Sequence, residues 1–172
     1  MALTLTLPSE YGYVLLVATS SFFVNTLHTI VTSKHRKLSG LKYPIAYASN
    51  DLAEKDPKAY KFNCAQRAHN NFTENQISFL GALLISGLRY PVPAAGLGAA
   101  WVAGRVFYVL GYTSDNGPKG RVASVHLSDD LVLATIDTQL TVMRRGGIVG
   151  SLTDFVLKLT ALYTSLGFAM GW

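Results

Sequence analysis

Four long apolar runs, parted by short basic stretches, limit what this chain can fold into more than any other feature. The runs cover about residues 11–31 (YGYVLLVATSSFFVNTLHTIV), 62–88, 93–113 and 146–172. Each is near the roughly 20 residues that a hydrocarbon core of about 30 Å requires. In lipid the backbone has no water to bond, so such segments satisfy their own amides as helices. The alternation of a β-barrel strand is absent from them. The expectation is an all-α integral membrane four-helix bundle, one domain over residues 1–172. Asp, Glu, Lys and Arg make up 15% of the chain, against about a quarter in an ordinary soluble domain. The opening residues, MALTLTLPSE, lack a basic stretch, so the first run is expected to stay as an anchor rather than be cleaved.

Lysine and arginine set the expected orientation. Lys34, Arg36, Lys37, Lys42, Lys55, Lys58 and Lys61 lie between the first and second runs, and Lys119, Arg121, Arg144 and Arg145 between the third and fourth. The opposite side holds Arg89 alone. This asymmetry puts both basic loops in the cytoplasm and both termini across the membrane. The formal net charge of +5 sits beside apolar runs and does not interleave with exposed aromatics, which argues against nucleic acid.

Three of the lysines and arginines, Arg67, Arg105 and Lys158, fall within the runs themselves. Arg67, Asn71 and Glu74 follow one another by four and three residues, which sets them within about 60° on one helix face. Burying Arg and Glu in a bilayer costs several kcal/mol each unless they are paired or wet. Two readings fit: a salt-bridged seam that sets helix packing, or a site for a polar, doubly charged ligand. On the third run Arg105, Tyr108 and Tyr112 again share a face. Paired phenols one turn apart suit hydrogen bonding to a ligand or thiolate, and interfacial anchoring is the alternative for Tyr112. Gly96, Gly98 and Gly104, among several alanines, give this run a small face suited to close helix packing. Asp154 and Lys158, four apart, read as a self-paired ion bridge.

Other chemistries find little support. Cys64 is the single cysteine, so an internal disulfide is excluded; it reads best as a small packing residue. His28, His35, His69 and His126 lack metal-site spacing, and no metal is expected. Asn71-Phe72-Thr73 matches a glycosylation sequon but falls inside the second run.

The block FNCAQRAHNNFTEN, followed by GLGAAWVAGRVFYVLGYTS, resembles the MAPEG membrane proteins, and within them the type 3 microsomal glutathione transferase branch. LKYPIAYASNDLAEKDPKAYKFNCAQRAHNN is similar to that branch as well. The resemblance spans most of residues 10–121 and implies a homotrimer in the endoplasmic reticulum membrane. It implies glutathione bound as co-substrate between neighbouring subunits, with no permanently held cofactor. The implied reactions are conjugation of glutathione to lipophilic electrophiles and reduction of lipid hydroperoxides. Position by position it implies glutathione contacts at Arg67, Asn71, Glu74, Arg105, Tyr108 and Tyr112, with Arg36 as a further one. An arginine beyond the helix-three tyrosines is implied to stabilise the thiolate. Lys119 and Arg121, in GPKGR, are the alternatives here, since a nearby cation lowers a thiol's pKa. A non-catalytic lipid-binding or scaffolding role is the competing expectation, because one fold hosts several functions. A small transporter subunit fits less well, since the stripe occupies only one half of its run.

Two departures from the family pattern stand out. Asn75 and Gln76 follow Glu74 where a tyrosine is usual. Residues 122–144, VASVHLSDDLVLATIDTQLTVMR, separate Arg121 from Arg145. Joining those two residues would restore the family's loop, so the segment reads as an insertion: a retained intron, a cytoplasmic excursion, or a short interfacial helix.

Overall fold

The computed structural model describes residues 6–114 and 133–171, and of residues 133–149 the backbone alone. It consists of α1 (Tyr11–Ser39), α2 (Asn50–Lys55), α3 (Pro57–Gly87), α4 (Pro91–Tyr112) and α5 (Leu133–Met170). No strand occurs among the described residues. The expected all-α class is therefore what the structure has.

Local chemistry sets the helix ends. Helix α1 stops at Gly40, whose left-handed φ of 69° suits glycine, with Arg36 and Lys37 in the last turn against the negative end of the dipole. Helix α3 opens on Asp56, whose carboxylate accepts from the Lys58 N–H at 2.9 Å, with Pro57 in the first turn. Helix α4 begins at Pro91, one turn's fraction earlier than the expected start at Pro93. Both α1 and α3 outrun their apolar stretches: α1 continues past residue 31 to Ser39, and α3 starts at Pro57 rather than 62. Lysine and arginine are good helix formers, so the helix persists where the apolar pattern ends. Helix α5 begins at Leu133, well before the expected 146. Residues 133–144 of the apparent insertion are thus helical and continuous with the fourth long helix.

The long helices run in alternating directions. On α1 and α3, Tyr11 Oη donates to Leu84 O, Gln76 Nε2 reaches Ser21 Oγ at 3.4 Å, His28 stacks on Phe72, and Thr32 Oγ1 donates to Ala65 O. Rising numbers on one helix meet falling numbers on the other. Helices α3 and α4 pair likewise, with Phe79 stacked on Trp101 at 3.7 Å between ring centroids. Helix α5 packs on both α3 and α4, and Ser86 Oγ donates to Leu157 O at 3.0 Å. The core centres on Phe72, Phe79, Leu83, Trp101 and Leu157, all fully buried. One small residue earns its place by close approach: a Cβ at Gly98 would lie 2.8 Å from Val17 Cγ1 and 2.9 Å from Leu83 Cδ1. Gly96, by contrast, faces open space.

The outward faces are apolar too. Leu16, Phe22 and Phe23 of α1, Ile77 of α3 and Phe155 of α5 are each more than half exposed. Helices apolar on both inner and outer faces suit lipid surroundings. Helices α1 and α4 are long and apolar enough to cross a membrane. Helix α3 does not reach that apolarity, because its first half carries the polar stripe.

Candidate functional site

Helix α3 displays Arg67, Asn71 and Glu74 at successive turns, and α4 meets it beside the middle one. Asn71 Oδ1 accepts from Arg105 Nη1 at 2.7 Å, the contact that joins the two sets. The Asn71 carbonyl also accepts from Asn75 Nδ2 at 2.7 Å, so the residue standing where a tyrosine is usual steadies this turn of α3. Arg67 and Glu74 pair across seven residues, Nη1 to Oε1 at 3.3 Å, with both side chains about half exposed at 52% and 54%.

Arg105 is the unusual member. It is buried, with 9% of its surface exposed, in an apolar helix. Its guanidinium lies 4.7 Å from the centre of the Trp101 ring and 6.0 Å from that of Tyr108. Its Nε is buried without a hydrogen-bond partner. Among the described residues it forms no ion pair: Glu74 is engaged by Arg67, and Asp154 by Lys158. The nearest charge that favours the cation is Asp154, which lies beyond ion-pair contact and already engages Lys158, so no carboxylate touches this buried guanidinium.

Tyr108 and Tyr112 follow Arg105 along α4, their rings 5.2 Å apart, both buried with Cys64, Ala68 and Val109. Cys64 is thus a packing residue of the site's floor. The structure therefore brings Asn71, Arg105, Tyr108 and Tyr112 to one α3–α4 seam, with Arg67 and Glu74 on its open edge. Trp101 belongs to the same seam and was not singled out by sequence; its place one turn before Arg105 was the available signal. Asp154 and Lys158 pair as expected from their spacing.

Arg36 stands elsewhere. Its guanidinium is sandwiched between the Tyr43 and Phe62 rings, at 4.2 and 4.5 Å, and Nη1 donates to Ile45 O at 2.6 Å. It lines an open groove of about 270 Å³ between α1 and α3, with Thr29, Ser33, Gln66, His69, Asn70 and Thr73. The groove residues of α3 recur every three to four positions, a second polar stripe beside the first; Asn70, which by its spacing widens the first stripe, lines this groove instead. No described contact links Arg36 to the α4 residues. Lys119 and Arg121 lie outside the described residues, as does the stretch 122–132.

No solved structure matches the chain. A sequence model of the MAPEG family matches residues 14–128, a stretch that holds every residue of the seam. That family contains glutathione transferases and peroxidases as well as non-catalytic members. The chain belongs to the MAPEG family.

Proposed function

We propose that this chain is a membrane glutathione transferase of the endoplasmic reticulum, with peroxidase activity on lipid hydroperoxides, assembled as a homotrimer. The observation that carries the reading is Arg105, a buried guanidinium bonded to a neutral amide and touched by no carboxylate among the described residues. Glutathione brings two carboxylates, an ammonium and a thiol. Arg105 and Arg67 suit the carboxylates, Glu74 the ammonium, and Asn71 a neutral peptide group. The phenols of Tyr108 and Tyr112 suit hydrogen bonding to the sulfur. Lys119 or Arg121 is assigned the cation that holds the thiolate at neutral pH.

In conjugation the thiolate attacks the electrophilic carbon, a C–S bond forms, and the leaving group departs with the bonding pair. In peroxide reduction two glutathione thiols supply two electrons and two protons. The O–O bond breaks to give an alcohol and water, and the thiols end as a disulfide. Lipophilic substrates reach such a seam from the bilayer, where the outward faces are apolar.

The homotrimer rests on exposure. Arg67 and Glu74 are half open to the surroundings of a single chain, and charges at this depth do not face lipid. A neighbouring chain would cover them, and Arg36, on a different surface of the protomer, would reach the ligand from that neighbour.

A second reading, a non-catalytic lipid-binding or scaffolding member, draws on residues 122–144, which interrupt the basic loop expected to complete the thiolate site. Turnover separates the two. The full chain in lipid nanodiscs is expected to bind glutathione and to consume it with a model electrophile and with a lipid hydroperoxide. Arg67→Ala is expected to abolish both. Binding without turnover supports the scaffold, and a chain lacking residues 122–144 that gains turnover assigns the block to that segment. Glutathione binding unaffected by Arg67→Ala defeats the site.

A further inference from the structure

A carboxylate inside a helix bundle is costly unless partners meet both of its oxygens. Asp154 of α5 is buried, and one oxygen alone is met. Its Oδ2 accepts from Lys158 Nζ, one turn further along the same helix. Its Oδ1 is buried without a hydrogen-bond partner among the described residues. The Lys158 side chain is 42% exposed and that of Asp154 11%, so the lysine reaches to the outside of the bundle while the carboxylate turns inward. A partly exposed pair at this spacing stabilises little, and burying a carboxylate costs more than that. The placement calls for a second cation on the inner side.

Arg105 stands there. Helix α5 packs along α4, and the charge of Asp154 reaches the Arg105 guanidinium across that contact. In a bundle interior screening is weak, so charges act beyond touching distance. Each group keeps one buried atom without a partner: a donor, Nε, on Arg105 and an acceptor, Oδ1, on Asp154. Among the described residues no ion pair joins them. Glu74, the carboxylate on the α3 side, is engaged by Arg67. Arg105, Asp154 and Lys158 together leave one positive charge uncancelled, which one ligand carboxylate would balance. Without Lys158 the remaining two cancel, and the seam has nothing to offer an anion there.

We propose that Lys158 is a positioning residue for ligand binding: it holds Asp154 off Arg105 and so keeps the guanidinium open to a carboxylate of the ligand. Asp154 is then an internal competitor for the site, and Lys158 acts through it without touching the ligand. The spacing of four residues on α5 gives the lysine a fixed hold on one oxygen, while the other oxygen stays on the side of Arg105. This inference rests on the reading of Arg105 as a ligand-binding cation with glutathione as its ligand. It gives the Asp154–Lys158 pair a role in affinity that an ion bridge confined to α5 would lack.

Glutathione titration of the full chain in nanodiscs tests it. Lys158→Met is expected to weaken binding about ten- to a hundredfold, the loss that follows if Asp154 then occupies Arg105 in roughly 90–99% of molecules. Lys158→Arg is expected to keep the parent affinity. Asp154→Asn/Lys158→Met is expected to restore it within about twofold, because the competitor is gone. A second measurement needs no ligand: the Nε–H resonance of Arg105 in chain carrying isotope-labelled arginine, assigned by its loss in Arg105→Met. In Lys158→Met it is expected to shift and to exchange more slowly with water, and in the double variant to return. A parent chain that binds no glutathione while this resonance moves as described refutes glutathione as the ligand and supports the hold on Asp154. Lys158→Met with parent affinity, or with an unmoved resonance, overturns the proposal. So does a double variant as weak as Lys158→Met alone, which would make the loss one of packing.

Discussion

Replacing Arg105 by methionine separates a ligand-binding cation from a structural one. Among the described residues its guanidinium makes one hydrogen bond, to the neutral Asn71 Oδ1 at 2.7 Å, while its Nε has none. A hydrogen bond involving a charged group contributes about 1.5–3 kcal/mol, and stacking on Trp101 about 1–2 kcal/mol more. Keeping the ion out of water costs several kcal/mol even after relaxation. These contributions nearly cancel, and methionine fills much of the vacated volume with apolar atoms. Arg105→Met is therefore expected to leave the ligand-free protein within about 1–2 kcal/mol of its parent, or to stabilise it, a change of a few degrees in Tm. Glutathione affinity is expected to fall by about 2–5 kcal/mol, roughly thirty- to several-thousand-fold. Thermal unfolding in detergent with and without glutathione reads both, since a ligand raises Tm by mass action. A loss above about 3 kcal/mol in the ligand-free protein, with glutathione stabilisation unchanged, would refute the reasoning and make Arg105 a packing staple.

Three further outcomes follow from particular contacts. Gly98→Ala is expected to cost about 1–3 kcal/mol by overpacking against Val17 and Leu83, whereas Gly96→Ala, in open space, gains about 0.5–1 kcal/mol; unfolding in detergent compares them. Glu74→Gln is expected to change stability by about 1 kcal/mol or less, since the pair with Arg67 is half exposed, yet to weaken glutathione binding measured by titration calorimetry. Asp154→Leu leaves Lys158 without its carboxylate and is expected to destabilise more than the joint change Asp154→Leu/Lys158→Met, which is near neutral; a double-mutant cycle measures the difference.

The long helices and the two polar faces were legible in the sequence, because apolar run length and the two three-and-four spacings report helix faces directly. Which polar residue meets which was not. A rotation of about 40° along α3 turns Asn71 toward α4 while Arg67 and Glu74 look outward, and sequence spacing does not say where the neighbouring helix stands. Helix ends were misjudged where basic residues extend α1 and α3 beyond their apolar runs, since helix propensity and membrane apolarity are separate properties. The position of Arg36 depended on the connecting segment folding back onto its guanidinium, a long-range event with no local signature. Trp101 went unremarked because an aromatic residue in an apolar run is ordinarily core, and only the buried cation beside it gives it a second role.

The central claim is that the α3–α4 seam holds glutathione as a thiolate. Ultraviolet difference spectroscopy of the full chain in nanodiscs, titrated with glutathione at neutral pH, tests it most directly through the thiolate absorption band. The account predicts a saturable thiolate signal in the parent chain that Arg67→Ala and Arg105→Met both remove. Titration of the parent chain without any saturable signal, or a signal that survives both substitutions, would contradict it.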